Sequence, residues 1–340
     1  MTATLEHPRT VGTVLPVRIA GLGVGLPARI VTNDELAAEL DTSDDWIRSR
    51  TGIAQRHVAA PHEATSDLAA AAGKAALADA GLGIEDVTTV LVATTSPDHR
   101  VPGTAPLVAA ALGTEVSAFD VNAACSGFVT GLRVGGALAA TGDGAVLVIG
   151  AETMTRIVDP EDRAVRVLFG DGAGAAVLVP DEHAHLGPFD LGSDGLDPSM
   201  LWCPDGGTRT PIAPTADGDP YLRMRGGDIY RHAVTRMVAS SRAVLDTAGL
   251  GVDDVDLLVG HQANARILDA VVQRLGIDPD RSHVTVDVHA NTSAASIPLA
   301  LADARDRGRL KPGATVLLTA FGAGLTWASC LLTWDPEEDA

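Results

Sequence analysis

The sequence predicts an α/β protein made of two related halves, each a mixed or parallel sheet covered by helices. The first observation is an internal repeat: Ala80-Gly-Leu-Gly-Ile-Glu-Asp-Val87 returns as Ala248-Gly-Leu-Gly-Val-Asp-Asp-Val255, displaced by 248 − 80 = 168 residues. The second is what flanks it. Each copy follows an Ala-rich pattern of helical period and precedes an apolar run of β type, at 87–95 and 255–260. The third is composition: 46% hydrophobic residues in a chain of 340 are enough for two cores, and 36 glycines with few aromatics suit close helix-on-sheet packing better than a β-sandwich.

Taken in order, residues 1–16 read as a flexible N-terminal tail, with Arg, His and Glu where a signal peptide needs an apolar block. Strand 17–23 follows, then helical spacing at 33–39 and 66–80, strand 88–95, helix 104–112, strand 115–121, helix 125–141, strand 145–150 and a strand at about 172–179. These make a first half, 17–180. The second half, 181–340, repeats the order after a Pro-, Gly- and Asp-rich insertion, 181–220, irregular apart from a strand near 188–192. Phe119-Asp-Val-Asn-Ala-Ala-Cys125 aligns with Val286-Asp-Val-His-Ala-Asn-Thr292, so Cys125 and Asn291 are expected at equivalent strand-to-helix turns around a pseudo-two-fold axis.

A net charge of −19 argues against a nucleic-acid partner, because phosphate binding needs a basic surface. The absence of any apolar run of about 18 residues argues against a membrane span. Three widely spaced cysteines form no CxxC pair, which fits a reducing, cytoplasmic setting and gives no metal framework. Gly21-Leu-Gly-Val-Gly25 fails as a dinucleotide fingerprint: its third glycine is misplaced, Pro27 follows at once, and no acidic residue closes a partner strand. Phe169-Gly-Asp-Gly-Ala-Gly174 and Phe321-Gly-Ala-Gly324 read as tight turns where backbone passes close to something.

Chemistry points to Cys125. Its place at a helix start favours the thiolate through the helix dipole and the unpaired N–H groups of the first turn. Alone it reads as easily as a small packing residue. His261, directly after the apolar run 256–260 and inside His261-Gln-Ala-Asn264, and Asn291 at the turn equivalent to that of Cys125, make a coherent site of three strand ends.

Asp120-Val-Asn-Ala-Ala-Cys-Ser-Gly-Phe128, His261-Gln-Ala-Asn-Ala-Arg-Ile267, Asn291-Thr-Ser-Ala-Ala-Ser-Ile-Pro298 and Ala320-Phe-Gly-Ala-Gly-Leu-Thr-Trp327 resemble the nucleophile, histidine, asparagine and glycine motifs of β-ketoacyl-acyl carrier protein synthase III. Asp41-Thr-Ser-Asp-Asp-Trp46 through Ile53 and Asp159-Pro-Glu-Asp-Arg163 resemble that family too, and the likeness runs in order from about 17 to 334. It implies the thiolase fold, duplicated βαβαβαββ halves in five αβαβα layers, and a homodimer. It also implies the activity. An acyl group passes from acyl-CoA to Cys125, with backbone N–H groups of Cys125 and Ala323 as oxyanion hole. His261 and Asn291 then assist decarboxylation of a malonyl group on an acyl carrier protein, and the enolate attacks the acyl-cysteine. No metal or other cofactor is implied. Trp46, Arg50 and Arg163 correspond to the CoA site, and Arg231, Arg266 and Arg274 to a basic carrier-docking patch that so acidic a chain needs.

Three residues depart from the family pattern: Ser126, Gly260 and Ala290 stand where alanine, proline and glycine are usual. Val101 falls where acetyl-specific relatives carry a bulky aromatic at the acyl pocket across the dimer, which implies room for a longer or branched primer. Among rivals, a biosynthetic thiolase needs a second catalytic cysteine, and Cys330 lies in an apolar strand pattern. A chalcone-synthase-like enzyme shares Cys, His and Asn in a longer chain. The nearest alternative is a synthase III relative that moves its acyl group to a hydroxyl or amine without decarboxylation.

Overall fold

The computed structural model describes residues 12–142, 144–211 and 218–334. Two sheets share one topology. In the first, β1 (Val17–Gly25), β2 (Val87–Ala93), β3 (Ser117–Val121), β4 (Ala145–Thr153) and β5 (Asp171–Pro180) lie in the order β1-β5-β4-β2-β3. In the second, β6 (Leu186–Ser193), β7 (Leu257–Gly260), β8 (Ala314–Gly322) and β9 (Thr326–Trp334) lie in the order β6-β9-β8-β7. Equivalent pairs keep equivalent directions: β2 with β4 and β7 with β8 are parallel, β4 with β5 and β8 with β9 antiparallel. The repeat seen in sequence is therefore a repeat of structure.

Strand patterning explains the layering. Leu91, Val146 and Val148 point to a central core shared with Val259, Val316 and Leu318, while Val90, Val92, Leu147 and Ile149 point outward into a second core. Leu258 and Leu317 likewise enter a third core on the far side. Strands buried on both faces read as continuous apolar runs, which is why they were visible in the sequence. Helices α1 (Thr65–Asp79) and α2 (Thr104–Leu112) cover one outer face; α3 (Gly127–Thr141) and α6 (Ser296–Asp306) fill the space between the sheets; α4 (Gly226–Ala248) and α5 (Ala265–Leu275) cover the other. This is the five-layer αβαβα stack of the thiolase fold.

The Gly21-Leu-Gly-Val-Gly25 run has a packing cause. A Cβ on Gly23 meets the backbone of α1 at 2.2 Å from Ala76 N and 2.3 Å from Ala72 O, so strand and helix touch main chain to main chain. Gly23→Ala is expected to lower stability by about 3 kcal/mol, because backbone cannot yield as a side chain does. A thermal melt reads it. An unchanged Tm disproves the close approach.

Four expectations are corrected. Of the stretch 1–16, residues 1–11 lie outside the described residues, whereas Leu15 is no tail: it is buried and exchanges hydrogen bonds of 2.9 and 3.0 Å with Leu186. Asp171 to Gly174 form the start of β5 rather than a turn, their small faces accepting α6 through Gly174 and Pro298. Among the described residues the second sheet has no fifth strand. Val286–His289 is a single helical turn, and only a parallel bridge from Leu258 to Ser282 marks that edge. Asn291 thus follows a helical turn, not a strand, and is held by a parallel bridge to Phe169. The insertion 181–220 contributes β6 and a two-residue strand, Leu201–Trp202, with 212–217 outside the described residues.

Candidate active site

Cys125 sits in a 3-10 turn, Ala124–Ser126, between the end of β3 and α3. Ala124 ahead of it has φ 47°, Ala290 ahead of Asn291 has φ 56°, and Ser293 beyond it has φ 48°. Each left-handed non-glycine costs on the order of 1–3 kcal/mol, and here all three flank the residues that carry the chemistry. Ala290 stands where the resemblance implies glycine, the residue that would carry no such cost. The other departures are absorbed locally. Ser126 donates to Ala123 O at 2.7 Å and lies 3.0 Å from Thr326 Oγ1, whose hydroxyl stands 2.9 Å from both Ala123 O and Ala323 O. A Cβ at Gly260 meets only side-chain tips, Leu268 at 2.7 Å and Met237 and Leu258 at 3.7 and 3.8 Å.

The nucleophile turn and the glycine turn are in contact. A Cβ on Gly322 stands 2.5 Å from Cys125 N, so only glycine lets residues 322–323 approach that amide. His261 follows β7, with its N–H on Thr319 O at 2.8 Å and its ring 3% exposed. Its Nδ1 is 2.7 Å from Ser296 Oγ, and that oxygen also takes the N–H of Gln262 at 3.2 Å. We assign the hydroxyl hydrogen to Nδ1, since Ser296 Oγ already accepts the Gln262 N–H, and so the ring hydrogen to Nε2. Burial holds the imidazole neutral, its pKa lowered to about 3. Asn291 Oδ1 accepts the Ser293 N–H at 2.9 Å, which fixes the amide orientation and leaves Nδ2, among the described residues, a free donor.

Cys125, His261, Asn291, Phe321, Gly322 and Ala323 line one cavity of about 730 Å³, with apolar walls that include Ile157, Leu222, Ile229 and Met237. Two neutral donors and one thiol thus face a common space. The expected thiolate is not favoured at rest: Cys125 is 9% exposed, and burial pushes the thiol up to about 12, more than the Ser293 side chain nearby pulls it down. The helix start is too short and too dry to win.

Arg50 and Arg266 are exposed and line the same cavity, so they mark its rim. Trp46 lies beside Arg50, 5.6 Å from ring centroid to guanidinium, and under Arg163 at 4.9 Å. The structure therefore brings Trp46, Arg50 and Arg163 to one place. Arg231 is largely exposed near the start of α4 and paired with Asp228; Arg266 is in the first turn of α5, while Arg274 is in its last, about 12 Å further along the axis and away from the cavity lining. Val101 is 87% exposed and does not line the cavity of its own chain. Cys330 is fully buried in β9, in the core, and Cys203 is exposed at the cavity.

Sequence reading missed Glu152, Ser293, Ser296 and Thr326. Glu152 is fully buried at the end of β4 and takes hydrogen bonds from Thr94, Thr95 and Ser96. A lone acid closing the apolar run Ala-Val-Leu-Val-Ile-Gly-Ala was the signal available. Among the described residues no cluster of three or more His, Cys, Asp or Glu is placed to hold a metal ion, and no helix is long and apolar enough to cross a membrane.

Two family descriptions match the chain: 3-oxoacyl-(acyl-carrier-protein) synthase III over residues 119–195, and its C-terminal part over 245–334. The β-ketoacyl-(acyl-carrier-protein) synthase III 3 of Streptomyces coelicolor is 52% identical over 323 residues, covering 93% of this chain and 96% of that relative. The crystal structure of 3-oxoacyl-(acyl carrier protein) synthase III from Pseudomonas aeruginosa superposes with a TM-score of 0.87 at 45% identity, covering 94% of this chain and 98% of the other. A priming β-ketosynthase from a polyketide biosynthetic pathway superposes at 0.89 with 36% identity, covering 96% and 98%. With the thiol, imidazole and carboxamide converging on one cavity of a duplicated α/β fold, the chain belongs to the β-ketoacyl-acyl carrier protein synthase III family.

Proposed function

We propose that this chain primes chain assembly by two reactions on one cavity. Cys125 first takes an acyl group from acyl-CoA, the tetrahedral oxyanion lying on the N–H groups of Cys125 and Ala323. CoA leaves and a malonyl thioester on an acyl carrier protein replaces it. His261 Nε2–H and Asn291 Nδ2–H donate to the thioester oxygen, CO₂ departs, and the enolate carbon attacks acyl-Cys125 to give β-ketoacyl carrier protein. The observation that carries this reading is the pairing of both groups: Ser296 engages His261 Nδ1 and the Ser293 N–H engages Asn291 Oδ1, so Nε2 and Nδ2 are the atoms left for the cavity both residues line. A transfer to a hydroxyl or amine needs a base there, not two neutral donors. The chemistry is assigned to the chain's own side chains, without metal or other cofactor.

The test is a panel of acyl-CoAs followed by malonyl carrier, read by intact mass. Acyl-Cys125 that resolves into β-ketoacyl carrier with loss of CO₂ is expected. Acyl-Cys125 that persists beside untouched malonyl carrier overturns condensation. With Val101 in place of a bulky aromatic, primers beyond acetyl are expected to acylate, and strict acetyl use disproves that. Whether fatty acid or polyketide synthesis draws on the product depends on the carrier that accepts it.

The CoA site is assigned to Trp46, Arg50 and Arg163, supported by their stacking beside the rim. Trp46→Ala is expected to raise KM for acyl-CoA about tenfold with kcat little changed, since it removes binding shared by ground and transition states. A fall in kcat alone contradicts the assignment. Arg231 and Arg266 are the carrier-docking residues of this proposal, with Arg274 peripheral to them. A homodimer belongs to it as well: β3 is an edge strand carrying Phe119 at 37% exposure, and the segment leading into α2 carries Val101 at 87%, apolar groups suited to a second copy. A cytoplasmic setting, where acyl-CoA and carrier thioesters occur together, completes it.

A further inference from the structure

The two sheets differ at the edge that leads to Asn291. In the first half β2 pairs with β3 from Thr89 to Ala93, whereas the matching edge of β7 keeps one bridge, Leu258 to Ser282. Among the described residues no strand continues that edge. The backbone groups of the segment that passes there still need partners, because a buried N–H or C=O left unpaired is costly.

One side chain supplies them. Gln262 is 1% exposed, does not line the cavity and has no part in the reactions above. Its Oε1 accepts the N–H groups of Thr285 at 2.8 Å and Val286 at 3.1 Å, and its Nε2 donates to Gly260 O at 2.8 Å and His283 O at 3.2 Å. The two backbone donors decide which end of the amide is oxygen. Thr285 opens the helical turn Val286–His289 without capping it by its own side chain, so Gln262 caps that turn from outside. At the far end of the turn the Ala290 N–H reaches Val286 O at 3.0 Å, and Asn291 follows. His261 is the residue before Gln262. One carboxamide thus takes the place of a strand pairing and joins the strand end that carries His261 to the turn that carries Asn291.

We propose that Gln262 is a positioning residue for decarboxylation, setting the separation of His261 Nε2 and Asn291 Nδ2. This rests on the reading of those atoms as joint donors to the thioester oxygen. Both must come within about 2.7–3.1 Å of one oxygen, so their separation matters more than the place of either alone. His261 is tied to the second sheet through Thr319 O, and Asn291 to the first half through its bridge to Phe169. Gln262 spans the two. Ser296 holds the His261 ring independently: its Oγ meets Nδ1 and the Gln262 N–H, a backbone group that substitution of the side chain retains. Loss of the Gln262 amide is therefore felt at Asn291, while the imidazole keeps its orientation and the Cys125 turn, which Gln262 does not bond, keeps its shape.

Gln262→Glu separates this from an amide that only completes the fold. Protonated, the introduced carboxyl group accepts the Thr285 and Val286 N–H groups and donates its hydrogen to the carbonyl of Gly260 or His283. Ionised, it turns a second acceptor toward both. Burial raises its pKa above the ordinary value of about 4.3, so the protonated form persists at mildly acidic pH. Its titratable neighbours in chain and hydrogen bonding are His261 and His283, the latter with Asp303 and Arg309 on its ring, and burial lowers the pKa of both histidines. CO₂ release from malonyl carrier is expected near the wild-type rate at acid pH and to fall roughly 100-fold as pH rises through the raised value, while acylation of Cys125 by acyl-CoA changes only a few-fold. The ratio of the two rates is the readout, because unfolding lowers both together. Gln262→Met lacks the amide at every pH and is expected to show the 100-fold loss throughout, adding nothing to the loss in Asn291→Ala. A rate ratio in Gln262→Glu that is independent of pH, or CO₂ release at the wild-type rate by folded Gln262→Met, overturns the proposal. Wild-type protein that acylates Cys125 yet releases no CO₂ from malonyl carrier overturns the condensation reading instead.

Discussion

Cys125→Ala is expected to abolish acyl transfer from CoA and with it condensation, by on the order of 10⁴-fold or more, because no other group in the cavity can form the covalent intermediate. Neither other thiol stands in the turn that Gly322 packs against: Cys330 is sealed in β9, and Cys203 belongs to the exposed part of the cavity wall. The same variant is expected to keep decarboxylating malonyl carrier. In the proposed mechanism that step draws on His261 and Asn291, and neither is positioned by the thiol: Ser296 holds one and the Ser293 N–H the other. Intact mass of the protein after acyl-CoA, and CO₂ release from malonyl carrier, read the two halves separately. Loss of both in a folded variant contradicts the separation of roles. Smaller effects on stability are expected, since alanine in place of a buried cysteine removes little volume.

Much of this was legible in sequence, for reasons that can be traced. Runs such as 145–150 and 315–320 are apolar without alternation because both faces of each strand are covered, and the glycines of β1 mark a helix lying on backbone. The duplication put Cys125 and Asn291 ahead of the equivalent helices α3 and α6, although a helical turn rather than a strand leads into the second. What failed depended on burial and on distant partners. Val286-Asp-Val-His289 has strand composition but winds into a helical turn, because its pairing edge shrinks to one bridge at Leu258 and Ser282. The thiolate expected of Cys125 came from its local helix start, whereas the desolvation that raises its pKa comes from walls contributed by the whole chain. Glu152 resembled a polar strand end, since the groups that hold it come from the distant residues 94–96 and the Ala294 N–H.

Asn291→Asp carries the second large effect and tests the decarboxylation half with almost no change of shape. The carboxylate still accepts the Ser293 N–H, so the turn is expected to hold; the free donor, however, becomes an acceptor bearing charge. A negative group facing the developing enolate oxygen repels it, and decarboxylation and condensation are expected to fall by about 10²–10³-fold, the scale of losing one oxyanion donor. Acylation of Cys125 is expected to change by only a few-fold. The pH dependence has a definite sign. A buried aspartate has a raised pKa and, once protonated, donates again, so the deficit shrinks as pH falls and widens as pH rises. Wild-type enzyme is expected to show no limb near the ordinary histidine value in this step, because burial keeps His261 neutral down to about pH 3. A wild-type rate that drops as pH falls through 6.5, or an Asn291→Asp deficit independent of pH, shows that the two residues do not work as neutral donors to the thioester oxygen.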